Sequence, residues 1–463
     1  MNVFDKIVSF EYKKNTGIVG ITGGFFVLIL KKMFSDLGKS LLVVTPNEYE
    51  ARKLYNCFDD EDVLLFEDDE ISSSSDISIS PEARVDRINI LNDLVSSSNR
   101  IVLTDMRGFL KRLPNVKTFN DSCVEVSVSS SLIYDDFVKR LVEIGYNRCS
   151  VVSQMGEFAV RGFVLDIFPI NCDNPIRIEF FGDDIESIRY FDVVSQKSIS
   201  DISSISIIPF SERFGNGDCS LYDYLDSPIV VFKDYEQIKF SYDKMVLDDY
   251  EFGLDTGVNY FDIRNVSVLD CMYYFDFDSP VNLDYVSSIV SFDVSSVPIF
   301  GENFVSVNKY ISDVIDSGKT VVLCVTTSRI NEFLEFLDCS YVFTDFDNIV
   351  LGKVNVVRKR LAYGFDGCGY VFLTDYELFG RKSVKYKRTR FRNASRIRDL
   401  SKISIGDYVV HSAHGVGVYN GIKVLKKAGV TSDYLEVLYA KGDKLYIPAS
   451  KIELISKYNG KDG

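Results

Sequence analysis

Between Lys39 and Leu113, short unbroken runs of aliphatic residues alternate with segments patterned for helix. LLVVT (41–45), VLLF (63–66) and IVLT (101–104) are apolar but for a closing threonine in the first and the last, and residues 47–58, 81–96 and 106–113 read as the helices around them. A strand that is apolar on both faces needs a covering layer on each side, and strands joined through helices run parallel. The front of the chain is therefore expected to be an α/β unit built on a parallel sheet. At about 150 residues per domain, 463 residues make three or four units.

The pattern changes over 121–211. VEVSV (124–128), AVRGFVLDIF (159–168), PIRIEFF (175–181) and IESIRYF (185–191) alternate between apolar and polar residues, with Gly182-Asp183-Asp184 as a turn and a helix over 134–144 closed by Gly145. That is the signature of an antiparallel α+β module inserted into the first unit. Over 212–290 the pattern weakens, with IVVF (229–232) the clear strand, and the stretch is expected to complete the first unit. Residues 291–380 read as a further small α/β domain, with helices at 307–317 and 328–337 and strands VVLCV (321–325) and YVFLT (370–374). Residues 381–398 carry nine basic residues and no acid, so 381–400 is either a solvated helix or a linker. A glycine-punctuated β segment over 401–458 closes the order, and 1–120 opens it.

Composition narrows the function. Lys and Arg number 52 against 67 Asp and Glu, a formal charge of −15, so contact with a polyanion has to be local. Nine cysteines without a C-x-x-C pair read as buried thiols in a reducing cytosol, without a zinc site or disulfide framework. The apolar run 17–30 falls short of the roughly 20 residues that span a bilayer, so a cytoplasmic protein without membrane contact is expected.

Several motifs invite chemistry and fail on inspection. Gly20, Thr22, Gly23 and Gly24 lie where a phosphate-binding loop would, but the positions of its lysine and hydroxyl hold Phe26 and Val27. Phenylalanine neither neutralises phosphate nor donates a hydrogen bond, so a non-functional nucleotide loop is expected. Gly318-Lys319-Thr320 precedes a strand instead of following one, and Asp375-Tyr376-Glu377 has no phosphate loop to serve. His411 and His414 lack a third ligand type. No catalytic set, metal or cofactor is expected. PIRIEFF puts Ile176, Ile178 and Phe180 on one strand face and Arg177, Glu179 and Phe181 on the other, which suits either a binding surface or a second packed layer. Strict alternation groups Arg161 with Phe163 and Leu165 unless Gly162 makes a bulge.

GEFAVRGFVLDIFPI (156–170), PIRIEFFGDDIESIRYFDVVSQKSI (175–199) and GDYVVHSAHGVGVYNGI with DYLEVLYAKGDKLYIPASKIELISKY (406–458) together resemble the bacterial transcription-repair coupling factor family. The first two are also similar to the UvrA-binding domain of the excision protein UvrB, and the third to the RNA-polymerase-interaction domain shared with CarD-type regulators. GITGG (20–24) resembles a remnant of the phosphate loop that UvrB keeps. The resemblance implies a UvrB-like module, a C-terminal Tudor-like small β-barrel, and an adaptor that binds stalled RNA polymerase (β subunit) and recruits UvrA for excision repair. It implies UvrA contacts at Arg161, Arg177 and Phe181, with the bulge at Gly162 favoured, and a polymerase contact at Leu425. The family's ATP-driven motor is expected to lie outside this chain, and the chain is expected to be a monomer. Two alternatives stand beside the adaptor: a UvrB-type enzyme, opposed by Phe26, and a DNA-binding module acting through 381–398.

Overall fold

The computed structural model describes residues 3–8, 10–58, 60, 62–68, 81–96, 99–193, 195–210, 217–251, 255–265, 270–276, 281, 284–327, 330–380, 394–396, 406–411, 415–427, 430–439, 444–448 and 455–458. The serine-rich stretch 72–80 (SSSSDISIS), His414 and most of the basic run lie outside them. The chain divides into two compact units, one of Met1–Asp68, Ile90–Ser130 and Ser203–Lys385, the other of Asp69–Asn89, Ser131–Ile202 and Tyr386–Gly463.

In the first unit, seven parallel strands run in the order Ser288–Ser291, Thr16–Val19, Cys271–Tyr274, Ile229–Lys233, Leu41–Thr45, Ile101–Asp105, Val63–Phe66. Leu41–Thr45, Ile101–Asp105 and Ile229–Lys233 are buried at every residue, while the edge strand Ser288–Ser291 alternates. These three runs occupy the middle of the sheet, as their composition requires, whereas VLLF lies at its edge with Leu64 and Leu65 only half-buried. The apolar run that begins at Gly17 becomes a strand and the helix Gly23–Leu37, packed into the core. Among the described residues no helix is long and apolar enough to cross a membrane.

The weakly patterned stretch supplied more than its one legible strand. Helix Tyr235–Glu251 and strands Cys271–Tyr274 and Ser288–Ser291 also come from it. A second six-stranded sheet, ordered Val294–Ser295, Phe365–Gly367, Tyr370–Thr374, Thr320–Cys324, Val354–Val357, Tyr341–Thr344, shares an apolar cluster with the first through Phe25, Val322, Phe365 and Phe372. Phe25 lies 5.2 Å from the rings of both Phe292 and Phe365.

The second unit contains the antiparallel module and the C-terminal strands. In the module six strands run in the order Ser198–Ile202, Asp184–Phe191, Ile176–Phe181, Val164–Ile167, Glu157–Arg161, Asn147–Cys149. Phe137 and Leu141 of helix Tyr134–Glu143 are buried, and Phe137 meets Phe180 of the sheet at 6.2 Å. The C-terminal strands form an antiparallel sheet in the order Ala394–Arg396, Ile455–Tyr458, Tyr408–His411, Gly415–Lys427, Val430–Leu438, Lys444–Pro448. Its core is Val409, Tyr419, Leu435, Val437, Leu445 and Ile447. Gly421 marks an irregularity inside the long strand Gly415–Lys427, where the register shifts between Tyr419 and Ile422 and Gly421 takes φ 97°. The backbone of Ala394–Arg396 is a strand, not part of a helix. All nine cysteines are thiols, but only Cys271 and Cys324 are buried, which corrects the expectation that the set is buried.

Candidate partner-binding face

The strand Ile176–Phe181 alternates as its sequence demands: Ile176, Ile178 and Phe180 are buried, and Phe181 is 74% exposed. Of the two readings of that outward face, the second packed layer is therefore wrong at Phe181. Glu157–Arg161 and Val164–Ile167 are two strands of a hairpin, with Arg161 paired to Val164 and Gly162-Phe163 between them. Gly162 takes φ 63°, the positive value that a two-residue hairpin turn places on glycine at its first central position. The expected bulge at Gly162 is thus a turn, and the turn does what the bulge was invoked for. Val164 pairs with Glu179 and Asp166 with Arg177, so Arg161, Arg177, Glu179 and Phe181 share one sheet face.

The two arginines differ in their commitments. Arg177 makes a bidentate pair with Asp166, Nε to Oδ1 at 2.7 Å and Nη2 to Oδ2 at 2.9 Å, and its guanidinium lies 4.7 Å from the Phe191 ring centre. The Asp166 hydrogen bonds raise the affinity of Arg177 for its proton against the opposing effect of burial. Asp166 is 1% exposed, and that fork engages both of its oxygens. Arg161 is exposed and donates to Ser150 O at 3.3 Å. Between them Glu179 pairs with Arg189 and accepts from Ser187 Oγ at 2.9 Å. Toward the other end of the face, Val152, Ala159, Phe168 and Phe191 form a small apolar cluster, leaving the hairpin end open.

Two features of this face escaped the sequence reading. Asp166 stands in the otherwise apolar VLDI, and that lone carboxylate was the available signal for a buried partner of Arg177. Phe163, 62% exposed at the hairpin tip, stood inside the single alternating run 159–168 that the structure splits into two strands and a turn.

The glycine loop 20–24 is packed against neighbouring backbone at its two ends. Phe26 is fully buried and stacks on Tyr274 at 4.3 Å between ring centres. A Cβ on Gly20 would sit 2.0 Å from Phe292 O, and one on Gly24 2.7 Å from Tyr363 O. Gly23 has nothing within 4 Å of its Cβ position, and Thr22 precedes the helix without a side-chain capping bond. The nearby Lys233 ammonium is held by Asp234 and Asp276, each at 3.0 Å, and by Glu50 at 3.4 Å. Burial lowers its proton affinity, but those carboxylates more than restore it.

Other motifs serve the fold. Asp375 accepts from Thr326 N–H at 3.0 Å, and Glu377 forms a capping box with Thr374. Lys319 pairs with Asp366 at 2.7 Å. Among the described residues no group of three or more His, Cys, Asp or Glu is arranged to hold a metal. Leu425 stands in register with Ser432 on Val430–Leu438; its side chain lies outside the described part. The pairing of Tyr408–His411 with that long strand runs from His411–Gly415 to Tyr408–Val418, and Gly406 and Asp407 bond on to Tyr419.

Comparison with known proteins matches two stretches of the chain to family models. Residues 124–212 match the UvrB interaction domain, and residues 403–459 the CarD-like/TRCF RID domain. The transcription-repair-coupling factor of Bacillus subtilis (strain 168) is 27% identical over 98% of this chain and 46% of its own length. The chain resembles the N-terminal portion of a transcription-repair-coupling factor. Coupling factors of Staphylococcus aureus (strain bovine RF122 / ET3-1) and Staphylococcus epidermidis (strain ATCC 12228 / FDA PCI 1200) are 26% and 25% identical, over 96% and 99% of the chain. The chain spans about half the length of the curated relatives it matches.

Proposed function

We propose that this chain works as the adaptor portion of a coupling factor, binding UvrA through the open face of the antiparallel module and RNA polymerase, at its β subunit, through the C-terminal strands. The observation that carries the first half is Phe181, an aromatic ring 74% exposed on a sheet whose reverse face is core. An unburied aromatic beside an exposed arginine is the usual make-up of an interface hot spot. Arg161 would orient a partner carboxylate, and Arg177, fixed by Asp166, would hold the floor beneath Phe181.

The second half rests on the match of residues 403–459 to the CarD-like/TRCF RID domain. An exposed edge strand of a small barrel is a template for a partner strand. Leu425 lies in the long strand Gly415–Lys427, and a Tudor-like barrel is the fold we assign to this domain. The loop 20–24 handles no nucleotide in this reading, since Phe26 is spent on packing and Lys233 on carboxylates. ATP-driven work would fall to parts of the relatives that this chain does not match.

A pull-down of purified UvrA on the immobilised chain tests the first contact. Phe181→Ala should lose UvrA while its melting temperature stays put; retained capture would sink the assignment. For the second contact, Leu425→Arg should abolish co-purification of polymerase and leave UvrA capture intact.

A further inference from the structure

In the first unit a cavity of about 920 Å³ lies against helix Tyr235–Glu251, walled by Tyr222, Tyr242, Tyr250, Tyr260 and Phe261. Asp218, Asp223, Asp255 and Asp262 also line it. Its walls already hold two cations of this chain. The Arg112 guanidinium lies 4.2 Å from the Phe261 ring centre and donates to Gly257 O at 2.9 Å and Gly217 O at 3.3 Å. The Arg264 guanidinium pairs with Asp262 at 2.7 Å and lies 6.0 Å from the Tyr242 ring centre. Aromatic faces with carboxylates and carbonyls at their edges are the chemistry that holds guanidinium and ammonium groups.

The helix extends this wall into an exposed apolar stripe. Tyr242, Val246 and Tyr250, four residues apart, face the cavity. On the neighbouring line Phe240 and Leu247, seven apart, are 67% and 63% exposed, and Tyr250, at 81%, joins the two. The same helix carries Glu236, Asp243, Asp248, Asp249 and Glu251 against Lys239 and Lys244.

We propose that this cavity and stripe dock a basic amphipathic peptide segment of a partner protein. An arginine or lysine of the segment enters between the tyrosines, and its apolar residues cover Phe240 and Leu247. Charge complementarity selects that occupant. A nucleic acid would be repelled by the carboxylates, a polyamine has nothing to lay over the stripe, and a neutral peptide has no use for the acids. The surface is distinct from the Phe181 face and does not depend on the UvrA reading.

The test titrates the full chain into a fluorescein-labelled helical peptide of leucine and arginine, followed by fluorescence anisotropy, beside the same peptide with glutamine for arginine. The arginine peptide should bind at least tenfold tighter than the glutamine one. Tyr250→Ala with Leu247→Ala, a change that alters no charge, should weaken it at least tenfold, with an unchanged melting curve as the folding control. Phe181→Ala should leave it unaffected. Equal binding of the two peptides would overturn the proposal. So would full affinity in the double variant, loss of affinity in Phe181→Ala, or displacement by spermine at equal concentration.

Discussion

Glycine serves opposite ends in the loop 20–24 and in the two hairpins of the antiparallel module. At Gly20 and Gly24 the missing side chain lets backbone carbonyls of Phe292 and Tyr363 come close, and the loop is consumed by packing. At Gly162 and Gly182 nothing lies within 4 Å of a Cβ, and φ values of 63° and 64° turn the chain so that Phe163 and Phe181 stand out from the sheet. The residue at the motif's lysine position, Phe26, is interior, and the strand that looks ordinary presents a ring to solvent. Motif spelling therefore tells less than the question of what fills the space around it.

The sharpest break of that contrast is a paired truncation. Phe26→Ala removes a fully buried ring stacked on Tyr274 and should cost about 3–5 kcal/mol in urea unfolding. A loss under 1 kcal/mol would mean that the loop is loosely packed and open to ligand after all.

The next effect separates the two arginines. Arg177→Ala leaves the 1% exposed Asp166 carboxylate without its fork and should cost about 3 kcal/mol. Arg161→Ala removes an exposed side chain and should stay within about 0.5 kcal/mol. Equal stability losses would erase the distinction between a partner-facing arginine and a positioning one.

The parallel sheet was legible because burial on both faces leaves no charged residue in LLVVT, IVLT and IVVF, whereas CMYY and SIVS, four residues each, gave no period to read. Helix Tyr235–Glu251 was missed for a related reason: Phe240, Leu247 and Tyr250 are apolar on its exposed side and blur the amphipathic pattern. At the candidate face, alternation fixed Arg177 and Phe181 correctly, but no period could tell a bulge from a turn at Gly162. The pairing of Arg177 with Asp166 is a cross-strand fact that strand periodicity does not contain.

A third effect belongs to the interior side of the comparison. Asp105, at the carboxyl end of Ile101–Asp105, caps the following helix through Gly108 N–H at 2.9 Å. Burial pushes its carboxyl up to about 7; the Gly108 bond opposes this and the charge of Asp68 adds to it. The folded chain then holds a proton that the unfolded chain releases near pH 4, so this group's contribution to stability falls as pH rises from about 4 to 7 and is level above. Between pH 5 and 8 the loss should be about 2 kcal/mol. Asp105→Asn keeps the cap and should flatten that slope in urea titrations run across the range. An unchanged slope would assign the pH dependence to other carboxyls.

The smallest expected effect is the most discriminating. Phe181→Ala should shift unfolding by no more than about 0.5 kcal/mol, because the ring has little burial to lose. The same change should weaken UvrA at least tenfold, since truncating an interface anchor commonly costs about 2 kcal/mol or more. A ring that stabilises the fold and a ring that makes a contact give the reverse pairing of these two numbers. Measuring both in one variant decides between them even if the partner has been misassigned: a stable fold with no lost partner would leave the exposed face real and its occupant still to be found.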